Sequence, residues 1–193
     1  MRIFVAGASG VLGTRLVPML HAQGHIVVGM TRSPGKRELL RSLGAEPVVV
    51  DVFDLRQLHA AMRAAAPDAI IDQLTDLPDE PDRILELARA NNRIRREGTA
   101  NILTAARELG VSRCLVQSVA WTLPGDGGQA VADLERMVLA FGGVVLRYGQ
   151  FYGPGTYFGS NPPPPPRIRV DEAAARTMAA LDAPPGVITI VEE

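Results

Sequence analysis

The sequence predicts a three-layer α/β fold in which helices cover both faces of a doubly wound parallel sheet. Short, apolar, mostly β-branched runs recur along the chain, as is typical of strands that are buried on both faces. Each gap between two runs carries a helical pattern, and strands that alternate with helices at this spacing indicate crossover connections. The 193 residues fit a single domain with a substantial core.

The elements follow in order along the chain. The predicted strands are Ile3–Ala6, Ile26–Met30, Pro47–Val50, Ala69–Leu74, Cys114–Val119, Val144–Tyr148 and Val187–Val191. The predicted helices are Val11–Ala22, Gly35–Ser42, Leu55–Ala65, Arg83–Leu109, Ala130–Phe141 and Asp171–Leu181. Helix starts are predicted at the capping side chains of Asp54 and Asp171, and helix ends at Gly24, Gly44 and Gly110.

Composition and charge exclude several classes of function. The formal net charge of −1 gives no footprint for nucleic acid, and no apolar stretch is long enough to span a membrane. A single cysteine, Cys114, excludes an internal disulfide framework and suits a reducing compartment. The N-terminus starts directly in a strand without a signal region. We therefore expect a cytoplasmic protein with neither nucleic acid nor membrane as a partner.

A glycine-rich turn joins the first predicted strand to the first predicted helix. Its sequence is Gly7-Ala8-Ser9-Gly10-Val11-Leu12-Gly13. A turn without side chains lets backbone approach a phosphate closely, and the helix start offers free N–H groups and the positive end of a dipole. After an N-terminal strand, this spacing predicts a dinucleotide pyrophosphate site and hence a Rossmann-type domain.

The ends of the second and third strands predict how the adenosine is held. Thr31 and Arg32 close the second strand, and no acid follows before Glu38. Because an acid suits the ribose hydroxyls of NAD and a guanidinium suits the 2′-phosphate of NADP, NADP is favoured and NAD stays open. An ordinary surface arginine is the alternative interpretation of Arg32. After the third strand, Asp51 can accept a hydrogen bond from the adenine amino group.

The ordered series of motifs resembles the extended and atypical short-chain dehydrogenase/reductases, including the NAD-dependent epimerase/dehydratases. Besides the glycine turn, five segments carry the resemblance: Asp51-Val52, the stretch from Arg96 to Leu103 with Gly98-Thr99-Ala100-Asn101, Val116-Gln117-Ser118, the stretch from Leu146 to Gly155 with Tyr152-Gly153-Pro154-Gly155, and the stretch from Arg169 to Ala174. The resemblance implies that Asp51 and Val52 contact adenine. It assigns the cofactor edge after the fourth strand to Gln73, Leu74 and Thr75. It also implies a catalytic role for Ser118 and places Tyr152 near the nicotinamide, which makes Tyr152 a second catalytic candidate with structural packing as the alternative.

The catalytic pair of that family is absent. Members use a Tyr-x-x-x-Lys pair in which the tyrosine transfers the proton and the lysine lowers its pKa. Anchored on Asp133-Leu134-Glu135, the tyrosine position falls on Gly127 and the lysine position on Val131. Asp72, at the end of the fourth strand, could serve as a base if it is desolvated.

The segment that builds the substrate lobe in the family is also reduced. Residues 156–169 form a shortened remnant that contains the proline run Pro162–Pro166, predicted to be an extended polyproline spacer. The fold is thus expected to end in a vestigial C-terminal lobe. Any pocket for a small-molecule substrate is small, open or completed by a partner subunit, which keeps a homodimer among the expectations.

Three interpretations of function follow. The leading one is an NADP-preferring oxidoreductase or epimerase/dehydratase-like enzyme that acts on a small organic substrate. The second is a regulatory or scaffold protein that senses NADP(H) without chemistry, which the missing pair favours. The third is a non-redox enzyme that keeps the cofactor as structure.

Overall fold

Strands of the main sheet lie close to the predicted runs. The computed structural model describes residues 1–78, 83–84 and 88–192. The strands are β1 Arg2–Ala6, β2 Ile26–Thr31, β3 Ala45–Val49, β4 Ala69–Asp72, β5 Arg113–Val119, β6 Val144–Tyr148, β7 Gln150–Tyr152, β8 Arg167–Arg169 and β9 Gly186–Ile190. Seven of them pair in parallel in the order β3-β2-β1-β4-β5-β6-β9, and β7 and β8 form a separate small sheet. The predicted Rossmann-type fold is confirmed.

The chain direction across the sheet creates a switch point between β1 and β4. From β1 the chain moves outward to β2 and β3, then returns to pair β4 with the other side of β1. Ala6 at the end of β1 lies opposite Met30 and Asp72. The residues that follow these strand ends therefore meet at one edge, where open α/β sheets bind ligands.

Helices cover both faces of the sheet. They are α1 Gly13–Ala22, α2 Arg37–Ser42, α3 Leu55–Ala65, α4 Ala88–Arg93, α5 Thr99–Glu108, α6 Gly125–Phe141 and α7 Val170–Ala179. Because side chains alternate along a strand, Ile3 and Val5 pack in the cluster with α1 and α7, whereas Phe4 and Ala6 pack in the cluster with α3, α5 and α6. None of the helices in the described part of the chain has the length and apolar character needed to cross a membrane.

Several predicted helix boundaries are wrong. The predicted helix Arg83–Leu109 is interrupted by a π-helical turn, Ile94–Gly98, between α4 and α5, and its residues 85–87 lie outside the described residues. Helix α6 starts at Gly125 rather than Ala130, because three early glycines hide its first turns from a propensity argument. Asp54 caps α3 as predicted, with the Gln57 amide donating to it at 3.0 Å. Asp171 lies inside the first turn of α7 and pairs with Arg15 instead.

The segment predicted to be a remnant of a C-terminal lobe lies in and next to the loop that connects β7 and β8. These two short strands were not predicted from the sequence. The proline run bends at Pro164–Pro166, contrary to the prediction of a uniformly extended spacer. Its carbonyl groups explain the bend, because the amide of Gln150 donates to Pro166 at 2.9 Å and Arg167 Nη1 donates to Pro163 at 2.9 Å.

Candidate functional site

The glycine turn between β1 and α1 has the shape that a bound phosphate requires. Gly7 has a φ of +79°, and a Cβ atom there would lie 2.6 Å from the carbonyl oxygen of Gln73. A Cβ atom at Gly13 would lie 2.6 Å from the carbonyl carbon of Ala8. Gly10 differs, because it is exposed and a Cβ there would contact only the Gly7 oxygen, at 3.2 Å. Gly7 and Gly13 thus shape the turn, whereas Gly10 leaves its outer surface open.

Backbone donors at the start of α1 fit a pyrophosphate. Within the described residues, the amides of Val11, Leu12 and Gly13 donate no hydrogen bond to the protein. The first turn of α1 contains no acidic side chain that would repel an anion. Unpaired amides at a helix start bind phosphate oxygens. The residues present therefore fit the dinucleotide that the sequence predicts.

Residues after β2 form the adenosine end of this edge. The hydroxyl of Thr31 is buried and accepts hydrogen bonds from Ser9 Oγ at 3.0 Å and from the Ser33 amide at 3.2 Å. Arg32 is largely exposed, and its Nη2 lies 2.7 Å from Asp76 Oδ1. The hydrogen bond to Asp76, helped by the charge of Asp51, raises the pKa of Arg32. A carboxylate thus stands beside the arginine predicted to bind a 2′-phosphate.

Sequence reasoning missed Asp76. It lies 44 positions from Arg32, in the segment that follows β4, and no local pattern links the two residues. The amide of Asp76 donates to the Asn91 side chain at 3.1 Å, which fixes the segment against α4. The parallel sheet topology is the one available signal, since it places the segments after β2 and β4 at the same edge.

The adenine-side residues after β3 are held by α5. Asp51 is exposed and accepts a hydrogen bond from the Phe53 amide at 3.0 Å. Val52 is buried, and its carbonyl oxygen accepts from Asn101 Nδ2 at 2.9 Å. A Cβ atom at Gly98 would lie 3.4 Å from the Val52 side chain. The Gly-Thr-x-Asn segment therefore supports the predicted adenine contact from behind.

Residues at the end of β4 lie in the middle of the sheet edge that faces the predicted cofactor site. Gln73 is buried, its Nε2 donates to the Tyr148 hydroxyl at 3.1 Å, and its Oε1 has no partner within the described residues. The Leu74 oxygen accepts from Gln117 Nε2 at 2.7 Å, which joins the ends of β4 and β5, while Thr75 is exposed. Burial raises the pKa of Asp72 to about 7, although the Leu74 amide donates to it at 3.0 Å.

Ser118 belongs to a hydrogen-bonded network at the end of β5. Its hydroxyl is buried and donates to Glu135 Oε1 at 2.6 Å. The two carboxylate oxygens of Glu135 also accept from Arg147 Nε and Nη2 at 2.8 and 2.5 Å. Burial favours a raised pKa for Glu135, but the hydrogen bonds from Arg147 and Ser118 outweigh burial and lower the pKa. The Ser118 hydroxyl therefore points to an ionised carboxylate in this structure.

Tyr152 lies in the small sheet. Its hydroxyl donates to Glu192, which raises the pKa of Tyr152. Glu192 also accepts from Arg167 Nε and from the Arg169 amide, both at 3.2 Å. These contacts tie β7 and β8 to the segment after β9. They account for Tyr152 as a structural residue, and its catalytic role stays a prediction.

The first turns of α6 occupy the place of the missing catalytic pair. Gly127, Val131 and Glu135 follow one another at four-residue spacing and share one face of the helix. The single lysine, Lys36, is exposed in the turn Pro34–Lys36 after β2. Among the described residues, no group of three or more His, Cys, Asp or Glu side chains is arranged to hold a metal. The tyrosine–lysine pair of the family is therefore absent from these positions of α6.

Comparisons with known proteins agree with this architecture. The model of the NAD dependent epimerase/dehydratase family matches residues 3–135. A 3-diazoavenalumate denitrifying reductase from a Streptomyces species is 37% identical over 185 residues, which is 81% of this chain and 58% of that protein. Photosystem II assembly factor Ycf39 of Synechocystis is 29% identical over 62% of this chain and 34% of its own length. The chain thus spans less than two thirds of these relatives.

Solved structures show the same fold at low sequence identity. UDP-glucose 4-epimerase of Thermus thermophilus in complex with NAD gives a TM-score of 0.81 at 20% identity, covering 99% of this chain and 78% of that one. The Bordetella bronchiseptica enzyme WbmG in complex with NAD and UDP gives a TM-score of 0.75 at 21% identity, covering 99% and 72%.

Proposed function

The chain belongs to the NAD-dependent epimerase/dehydratase family, and we propose that it is an NADP-preferring reductase whose small organic substrate accepts hydride without a proton from the protein. The family and the glycine turn support an NAD(P)-binding oxidoreductase or epimerase-like protein. The preference for NADP and the kind of substrate are the proposal.

One observation carries the choice of substrate. The face of α6 that should hold the tyrosine and lysine carries Gly127 and Val131, and the Ser118 hydroxyl donates to Glu135 at 2.6 Å. General acid catalysis needs a side chain that can release a proton to the reacting atom. Since these positions offer none, a substrate that needs no protonation suits the site better than a carbonyl compound.

A diazonium group has the required chemistry. A carbonyl group takes up a hydride on carbon and a proton on oxygen. In an arenediazonium ion the hydride forms a C–H bond, and the C–N bond breaks with its electron pair leaving on N₂, so charge and atoms balance without a proton. A phenolate or an amine in the site would attack such an electrophile, and Gly127 and Val131 present neither. The name of the Streptomyces relative describes a denitrifying reduction of a diazo compound.

The residues of the cofactor edge would bind and orient NADP. The nicotinamide of the bound cofactor supplies the hydride. The free amides of Val11, Leu12 and Gly13 would hold the pyrophosphate, and Asp51 would accept from the adenine amino group. Arg32 would bind the 2′-phosphate, which brings more negative charge than the Asp76 carboxylate and so competes with it for the guanidinium.

The fate of an isotopic label tests the proposal. We expect the protein to convert 4-carboxybenzenediazonium to benzoate with NADPH deuterated at C4, and the deuterium to appear at the ring carbon that lost nitrogen. In D₂O with unlabelled NADPH, that carbon should carry hydrogen. Reactions without protein, and with the Gly10→Val variant, measure background reduction. Solvent-derived label at that carbon would contradict a proton-free transfer.

The rival function is an NADP(H) sensor without turnover. The same two residues, Gly127 and Val131, favour it, because they remove the catalytic pair of the family. Tight NADPH binding without reduction of either the diazonium compound or a panel of carbonyl compounds would favour the sensor over the reductase.

A further inference from the structure

Arg95 is a partly buried cation that pairs with no carboxylate among the described residues. It lies in the π-helical turn Ile94–Gly98 between α4 and α5. Its one hydrogen bond within the described residues runs from Nη1 to Asn92 Oδ1 at 3.3 Å, an amide oxygen without formal charge. Burial lowers the pKa of Arg95, because the cation loses water and gains no anion in return. An uncompensated buried cation is costly to the fold.

The other partly buried arginines show how unusual Arg95 is in this protein. Five of them in the described part of the chain pair with a carboxylate: Arg2, Arg15, Arg96, Arg147 and Arg167. Arg113 instead donates to two backbone carbonyl groups, those of Leu181 and Ala183. Arg95 has neither kind of partner among the described residues.

Two carboxylates of α6 already pair with other cations. Arg96 donates to Asp126 Oδ1 at 2.7 Å and to Asp133 Oδ2 at 2.9 Å. Asp133 also accepts from Arg136 at 2.8 Å, and Asp126 accepts from Asn92 at 2.8 Å. These bonds lower the pKa of both aspartates, with Arg96 as the main cause in each case. Within the described residues, neither aspartate is a partner of Arg95.

Gly127 of α6 and Arg95 both lie next to the Asn92 side chain. A Cβ atom built at Gly127 would lie 4.0 Å from Asn92 Oδ1, the atom to which Arg95 donates. The same Cβ would lie 3.6 Å from the Leu123 side chain, an ordinary contact distance. The position expected for the family tyrosine thus carries no side chain, and Leu123 and the hydrogen-bonded pair of Asn92 and Arg95 lie next to it.

We propose that Arg95 binds a carboxylate group of the substrate next to Gly127. The planar guanidinium matches a carboxylate through two parallel N–H bonds, and Leu123 offers a surface for an apolar body such as an aromatic ring. The substrate class is then a small aryl carboxylate. This inference rests on the proposed function for the reaction, but Arg95 is a substrate-binding residue whatever the reaction is.

Direct binding of a carboxylate and its neutral analogue tests the inference. We expect cinnamate to bind the protein at least about tenfold more tightly than cinnamamide, both measured by NMR titration with and without NADP⁺. Arg95→Gln should abolish this difference, and Arg95→Lys should keep part of it. Arg63→Gln, the same change at an exposed arginine in the last turn of α3, is the matched control.

The outcomes separate this inference from the proposed function. Equal binding of cinnamate and cinnamamide, no cinnamate binding at millimolar concentration, or an unchanged preference in Arg95→Gln would each overturn it. A thermal unfolding curve for Arg95→Gln like that of the parent shows that a lost preference is local. Failure to reduce a diazonium compound would contradict the proposed function but not this inference, because the titration requires no turnover.

Discussion

The two sides of the β1–β4 switch point differ in whether their expected functional groups belong to the backbone or to side chains. On the β1–β2 side, the groups proposed to bind phosphate are the backbone amides of Val11, Leu12 and Gly13 in a glycine turn. On the β5–α6 side, the family chemistry depends on two side chains, and Gly127 and Val131 stand in their places. Binding elements are intact on one side, and the proton-transfer elements are missing on the other.

This difference shows that cofactor binding and acid–base catalysis can be separated within one fold. Backbone amides are supplied by the turn itself, so their function persists as long as the glycines hold the shape. A general acid depends on one side chain and on the cation that tunes its pKa, and losing either removes it. On the β5–α6 side Arg95 donates to Asn92 next to Gly127, and its charge suits the binding of an anion rather than proton transfer.

The largest expected effect is at Asp72, where the two sides meet. Burial raises its pKa from 3.8 to about 7. Ionisation is thus harder in the folded protein than in the unfolded chain, so the fold loses stability as pH rises from about 4 to about 7 and regains none above that. The cost at high pH is roughly 4 kcal/mol. Asp72→Asn should stabilise the protein by up to about this amount at pH 8 and by little at pH 4.

Urea unfolding at both pH values measures this effect, and Asp182→Asn, at an exposed position, is the control. Asp72→Asn also tests whether the β5–α6 side lacks a proton donor. If Asp72→Asn removed an activity of the protein on carbonyl compounds, Asp72 would be a proton donor. The β5–α6 side would then have an acid to replace its missing pair.

A smaller effect, on NADPH affinity, is expected when a side chain is added at Gly10 in the glycine turn. In Gly10→Val the added Cβ contacts only the Gly7 oxygen, at 3.2 Å, and the branched side chain extends over the turn where a phosphate would lie. NADPH affinity should fall by about a hundredfold, roughly 3 kcal/mol, while the melting temperature changes little. Gly10→Ala should give an intermediate loss. Parent-like binding by Gly10→Val in a fluorescence titration would show that Gly10 only shapes the turn.

Substitutions in the Arg32–Asp76 pair should change the ratio of the NADP and NAD affinities by up to about tenfold. Arg32→Ala should remove most of the preference for NADP over NAD, because a charge-assisted pair with the 2′-phosphate is lost. Asp76→Asn should tighten NADP binding several-fold by freeing the guanidinium, with little change for NAD. Arg41→Ala, an exposed arginine of α2 paired with Glu38, is the control. Equal affinities of the parent for NADP and NAD would remove the assignment of Arg32.

How far the sequence predicts this molecule depends on the range of the interactions. The strands, the glycine turn and the missing tyrosine–lysine pair follow from residues close together in the chain, because alternation, turns and helix spacing are local. The Arg32–Asp76 and Ser118–Glu135–Arg147 contacts join residues that are far apart in sequence. Single-sequence patterns carry no information on such pairs beyond the edge of the sheet that each residue faces.

The smallest expected effect separates two roles of Ser118. Its hydroxyl donates to Glu135, which keeps two hydrogen bonds from Arg147 when the serine is lost, so Ser118→Ala should cost about 1 kcal/mol of stability. Because that hydroxyl points to the carboxylate, the rate of NADPH-dependent reduction of 4-carboxybenzenediazonium should fall by less than about threefold. Ser112→Ala, at an exposed serine just before β5, is the control. A loss of a hundredfold or more at unchanged NADPH affinity would mean that Ser118 turns from Glu135 to the substrate, and the β5–α6 side would then keep part of the catalytic apparatus of its family.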